Sequence, residues 1–143
     1  MIAVETNILV YAYRTDSPHH AKASQRLTDL VESGSDWAIP WPCLHEFIGV
    51  VTHARIYNPP ASTDEALDQV EAWFQSPTLV LLSEAEGYWS DLRATILSGR
   101  VSGPRIHDAR IAALCQHHRV RELWTADRDF SRFPSLRTIN PLI

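Results

Sequence analysis

The chain has 143 residues, 45% of them apolar, and a net charge of −4. This length predicts one domain, residues 1–143, with a core of its own. No apolar run nears the roughly 18 residues that a membrane span needs, and no basic stretch leads an apolar one as in a secretory signal.

Met1–Val4 is a short apolar run, as expected of a buried parallel strand. Ile8–Tyr13 then predicts a first helix, and His19–Val31 a second, with Ala23, Leu27, Leu30 and Val31 at helical spacing and Gly34 as its stop. Trp37–Ile39 is a strand. Pro42 suits the first turn of a helix carrying Leu44, Phe47, Ile48 and Val51. Asn58-Pro59-Pro60 is a loop. Ser62-x-x-Glu65 is a capping box opening a helix with Leu67, Val70, Trp73 and Phe74. Thr78–Leu82 is a strand. Ser83-x-x-Glu86 predicts a second capping box, ahead of a helix with Trp89, Leu92 and Ile96. Ser98–Pro104 is a loop, and a helix covers about His107 to His118. Glu122–Thr125 is a strand, Asp129–Pro134 a loop and Arg137–Ile139 a last strand. Strands alternating with helices imply an α/β sandwich built on a parallel sheet. Cys43 and Cys115 lie in apolar contexts, as reduced core thiols do, and suit a cytoplasmic setting.

Net charge alone argues against a nucleic-acid partner, but it hides an asymmetry. Residues 1–92 hold thirteen acids against four bases, whereas residues 93–143 hold nine arginines against four acids. Arginine grips phosphate through a planar fork, so the C-terminal third is a candidate phosphate-facing surface.

Four carboxylates stand beside or inside apolar runs: Glu5 after Met1–Val4, Glu46 within Cys43–Val51, Asp108 before Ala109–Cys115, and Asp127 after Leu123–Ala126. Buried anions need partners. In an open parallel sheet, ligands bind beyond the carboxyl ends of the strands, where Glu5 and Asp127 are placed. Asp108 starts a helix, whose N-terminus favours an anion. Cys43 and Val50 put Glu46 on a helix face turned toward the protein. Gathered together, these acids would raise one another's pKa values unless a divalent cation relieved them. Oxygen-only ligands select Mg2+ or Mn2+ over zinc. Taken singly, each acid has a plainer role open to it: Glu5 or Asp108 as a helix cap, Glu46 in an ion pair, Asp127 and Asp129 as turn acids.

Glu5-Thr6-Asn7 after a short strand resembles the Asp-Thr-Asn opening of PIN domains. Glu46 in a helix, His107-Asp108-Ala109 and Thr125-Ala126-Asp127-Arg128-Asp129-Phe130 match that family's other acidic blocks in order and spacing. Size and layout resemble the VapC toxins of bacterial toxin–antitoxin pairs. The resemblance implies a three-layer α/β/α sandwich and a cytoplasmic Mg2+- or Mn2+-dependent endoribonuclease, homodimeric and neutralised by a cognate antitoxin. It implies Glu5, Glu46, Asp108 and Asp127 as the acidic quartet and Asp129 as an accessory acid at the metal. Thr6, Asn7 and Thr125 would orient ligands and waters.

The expected chemistry is attack of metal-activated water on an RNA phosphodiester. Arg110, Arg128 and Arg132 are candidates for phosphate contact. Trp37, Trp41 and Tyr11 are candidates for base stacking, with core packing favoured for the tryptophans. His107 would orient near the site, and His117-His118 would be a solvated helix end. One position departs from the family pattern: its first acid is aspartate, and here it is Glu5. The arm is one methylene longer, which implies a weakened enzyme. Two alternatives stay open, a non-catalytic binding module of the same fold and a nuclease of that fold acting on DNA.

Overall fold

A computed structural model describes residues 1–143. Five parallel strands form one sheet: β1 (Ile2–Val4), β2 (Trp37–Pro40), β3 (Leu79–Leu82), β4 (Glu122–Trp124) and β5 (Thr138–Ile139), in the order β3-β2-β1-β4-β5. Helices α1 (Thr6–Tyr13), α2 (His20–Glu32), α3 (Trp41–Val51), α4 (Thr63–Phe74), α5 (Tyr88–Gly99) and α6 (Ile106–His117) flank it. Successive residues of β1, β2 and β4 (Ala3, Val4, Ala38, Ile39, Leu123, Trp124) are buried on alternating sides, so both sheet faces are covered. The parallel sheet is the one that the alternation of strands and helices predicts, and the three-layer α/β/α arrangement is the one that the resemblance implies.

The strand order positions the site. The chain moves outward from β1 to β2 and β3, then returns through α5 and α6 to place β4 on the other side of β1. Connections therefore leave the carboxyl ends of β1 and β4 in opposite directions, and a crevice opens there. Val4 pairs in register with Trp124, and the Glu5 amide donates to the Trp124 carbonyl at 3.0 Å. Glu5 and Thr125 therefore emerge side by side at the crevice.

Several local readings hold. Ser62 and Glu65 form the reciprocal capping box of α4. Pro42 lies in the first turn of α3. Cys43 and Cys115 are free and fully buried; burial pushes the Cys115 thiol up to about 12 and that of Cys43 well above its ordinary value, so both are inert at neutral pH.

Other readings are corrected. No capping box forms at Ser83 and Glu86. α5 instead starts after Gly87, which takes φ +86° and carries no side-chain cap. The later start turns Tyr88 inward and leaves Trp89 68% exposed. Two further segments gain structure: Thr6 and Asn7 belong to α1, and Arg128–Arg132 forms a short 3-10 turn rather than an open loop. His117 and His118 are not a free helix end, because His117 meets Asp91 at 2.7 Å and His118 meets the Ser83 carbonyl at 2.8 Å.

Candidate metal centre

Glu5 follows β1 and caps α1, its carboxylate accepting from the Asn7 backbone amide. It is 5% exposed. The Asn7 side-chain amide also donates to it, and the Thr125 hydroxyl donates to it at 3.1 Å. In turn the Thr125 oxygen accepts from the Asp127 amide at 3.0 Å and from the Asn7 side chain at 3.2 Å. The Asn7 side-chain Oδ1 accepts from the Ala126 amide at 3.1 Å. One hydroxyl and one amide thus tie the loop after β4 to the end of β1, and Thr125 uses its full hydrogen-bonding capacity in doing so. The buried Thr6 hydroxyl lies on the same wall and meets no hydrogen-bond partner.

Asp127 caps the 3-10 turn, accepting from the Asp129 amide at 2.9 Å. Asp108 stands in the first turn of α6, without a capping bond. These segments converge. Carboxylate oxygens of Asp108, Asp127 and Asp129 lie within 4.8 Å of one another. Glu5 and Glu46 stand outside this trio but line one cleft of about 270 Å³ with Asp108 and Asp127. Thr6, Asn7, Tyr11 and Tyr57 complete its walls.

Electrostatics follow from the crowding. Burial, then the neighbouring Glu46 charge, raises the Glu5 carboxyl from 4.5 to about 7. Asp108 is raised too, by burial first and then by Asp127, Asp129 and Glu46, with Arg105 opposing. Three carboxylates this close repel one another, and a hard divalent cation with oxygen ligands relieves that repulsion. The donor set therefore fits Mg2+ or Mn2+.

Glu46 differs from expectation. Cys43, Leu44, Phe47 and Val51 of α3 are buried, but Glu46 is exposed at the cleft. The helical period sets it at the border of the apolar stripe rather than within it. Among the arginines, Arg110 pairs with Glu84 at 3.4 Å and, with His107, lines a second cleft that ends at Asp108. Arg132 borders a third cavity with Asp108 and Asp129, whereas exposed Arg128 lines none of these. Trp37 is core, its indole donating to Ser76 at 2.9 Å. Trp41 is half-exposed, against Phe74 and His45. Sequence reasoning missed Arg105, which stands 2.9 Å from Asp129. Its position three residues before Asp108 was the available signal, since such residues are neighbours at a helix start.

The PIN domain family model matches residues 2–136. The chain belongs to the PIN-domain family. Ribonuclease VapC43 of Mycobacterium tuberculosis is 34% identical over 142 residues, 99% of this chain and 96% of that protein. Ribonuclease VapC48 of the same species is 28% identical over 137 residues, 96% and 94% of the two chains. In fold, this PIN domain is similar to VapBC2 from Rickettsia felis, whose crystal structure is bound to a DNA fragment from its promoter; the TM-score is 0.66 at 21% identity, over 97% of this chain and 98% of that one.

Proposed function

We propose that this chain is a cytoplasmic Mg2+- or Mn2+-dependent endoribonuclease toxin, acting as one domain, homodimeric, and restrained by a cognate antitoxin. The observation that carries this is the convergence of Asp108, Asp127 and Asp129, with Glu5 and Glu46 facing the adjoining cleft. Relatives named as ribonucleases at 28–34% identity over nearly the whole chain support the substrate class, and the likeness to a VapBC complex supports the partner.

Asp108, Asp127 and Asp129 would hold the cation, with Glu46 at the mouth of the cleft. A bound divalent ion supplies Lewis-acid stabilisation of the phosphate and lowers the pKa of water. Asn7 and Thr125 fix the Glu5 carboxylate and, through the Asp127 amide, the loop that carries the ligands. Tyr11 and Tyr57 line the cleft wall, where an aromatic side chain can stack on a splayed base, and Arg14 covers one face of the Tyr57 ring.

One observation favours a weakened enzyme or a binding module of the same fold. The Glu5 carboxylate is turned onto Asn7 and Thr125 and caps α1, outside the trio. An error of about 1 Å in a positioning group costs on the order of 10²-fold in rate. Incubation of the purified chain and Glu5→Asp with structured RNA and with DNA, in Mg2+, Mn2+ or EDTA, separates the readings. We expect EDTA-sensitive RNA cleavage, faster for Glu5→Asp. Silence from both proteins would favour the binding module, and cleavage of DNA in preference would favour a DNA nuclease.

A further inference from the structure

Beside the acid trio lies a cavity of about 550 Å³, bordered by the end of α5, the turn Gly103–Arg105 and the turn Arg128–Arg132. Three guanidinium side chains line it, Arg100, Arg105 and Arg132, together with Asp108 and Asp129. Each arginine comes from a different segment. Arg100 ends α5 in the left-handed conformation, φ +52°, a position that usually falls to glycine. Arg105 is anchored on Asp129 at 2.9 Å. Arg132 closes the 3-10 turn that Asp127 opens.

We propose that this cavity seats an RNA phosphate flanking the one that is cut, held by Arg100 and Arg132, with Arg105 shared between that phosphate and Asp129. The proposal rests on the ribonuclease reading and adds a binding subsite to it. Asp108 and Asp129 belong both to the cavity wall and to the acid trio, so an anion in the cavity adjoins the cation's seat. Without a cation the two shared acids repel a phosphate. With their charge taken up, three guanidinium groups face an otherwise neutralised wall. Forked guanidinium donors match phosphate oxygens. The three guanidinium groups outnumber the two shared acids, so RNA binding at this subsite is strengthened by the divalent ion.

The test is fluorescence anisotropy of a labelled single-stranded RNA across a salt series. Ca2+ replaces Mg2+ to slow hydrolysis, and EDTA serves as the metal-free arm. Arg100→Gln and Arg132→Gln should each weaken binding several-fold. Each should also lower the slope of log K against log salt by about 0.7, the release expected per phosphate contact on a single strand. Arg93→Gln, an exposed arginine of α5 that lines none of these cavities, should bind as wild type does, and EDTA should shrink the difference between wild type and the double variant. Calorimetric Mn2+ affinity of Arg100→Gln/Arg132→Gln should stay within about twofold of wild type. An unchanged slope in the double variant, with wild type binding RNA normally, overturns the subsite alone. Parallel loss of Mn2+ binding assigns these arginines to the metal site and overturns it too. Unchanged RNA binding with weakened binding of an acidic peptide gives the cavity to a protein partner. Failure of wild type itself to bind RNA removes the ribonuclease reading and the subsite together.

Discussion

Glu5 concentrates the physical tension of the site. An ionised carboxylate at 5% exposure is costly, and three donors from Asn7 and Thr125 offset only part of that cost. Its folded-state value of about 7 lies above the ordinary 4.5, so the native state holds the proton more tightly than the unfolded chain does. The Glu5 contribution is then fully favourable below pH 4.5 and is lost as pH rises through about 7. The loss is about 3 kcal/mol, at 1.36 kcal/mol per pH unit. Denaturant titrations in EDTA should show wild type losing stability across this window. Glu5→Gln should flatten most of the loss and leave a smaller slope of the same sign from Asp108, which is also raised. Equal slopes for the two proteins would mean that Glu5 is solvated. Asp108→Asn should stabilise the metal-free protein at neutral pH yet abolish both the thermal shift given by Mn2+ and RNA cleavage. A retained Mn2+ shift would place the ion elsewhere.

Helices and turns carry these side chains into place, and they were unequally legible. The box at Ser62 and Glu65 formed because α4 begins directly after Ser62. The similar pattern at Ser83 and Glu86 failed because residues 83–87 span the gap from β3 to a helix begun at Tyr88, where the left-handed turn at Gly87 sets the start. A short pattern fixes hydrogen-bonding capacity, and the tertiary path decides whether it is used. Ser62→Ala should cost about 1 kcal/mol in urea unfolding, and Ser83→Ala nothing measurable. At the far end of α5, a Cβ added to Gly99 would come within 2.6 Å of the Phe133 ring. Phe133 is 1% exposed and cannot swing into solvent. Gly99→Ala should therefore destabilise by about 1–3 kcal/mol, although alanine favours helix by about 1 kcal/mol. A more stable protein would show that the ring yields, and with it the turn beside Arg132.

The molecule as a whole explains why the acids could be found from sequence and the cavities could not. Glu5, Asp108 and Asp127 stand out because charge abuts apolar runs, and a parallel α/β sheet sends strand ends to one edge. Nothing local encodes that β4 lies next to β1 rather than beside β3, yet that order brings Thr125 and Asp127 to Glu5. Nor did the periodicity of α3 reveal that Glu46 is exposed, since it falls at the margin of the buried stripe. The arginine-rich last third was visible as composition, while the choice of Arg100, Arg105 and Arg132 over Arg128 depended on how the turns around Asp108 pack. The same edge of the sheet thus joins a negative cleft to a cavity with three guanidinium groups. Diffraction from crystals soaked in Mn2+, recorded at the manganese absorption edge, would locate the cation. An anomalous peak is expected in contact with oxygens of Asp108, Asp127 and Asp129, absent from Asp127→Asn crystals. A protein that takes up no manganese there, or binds it only at sites remote from these three carboxylates, would mean that they do not form a metal centre.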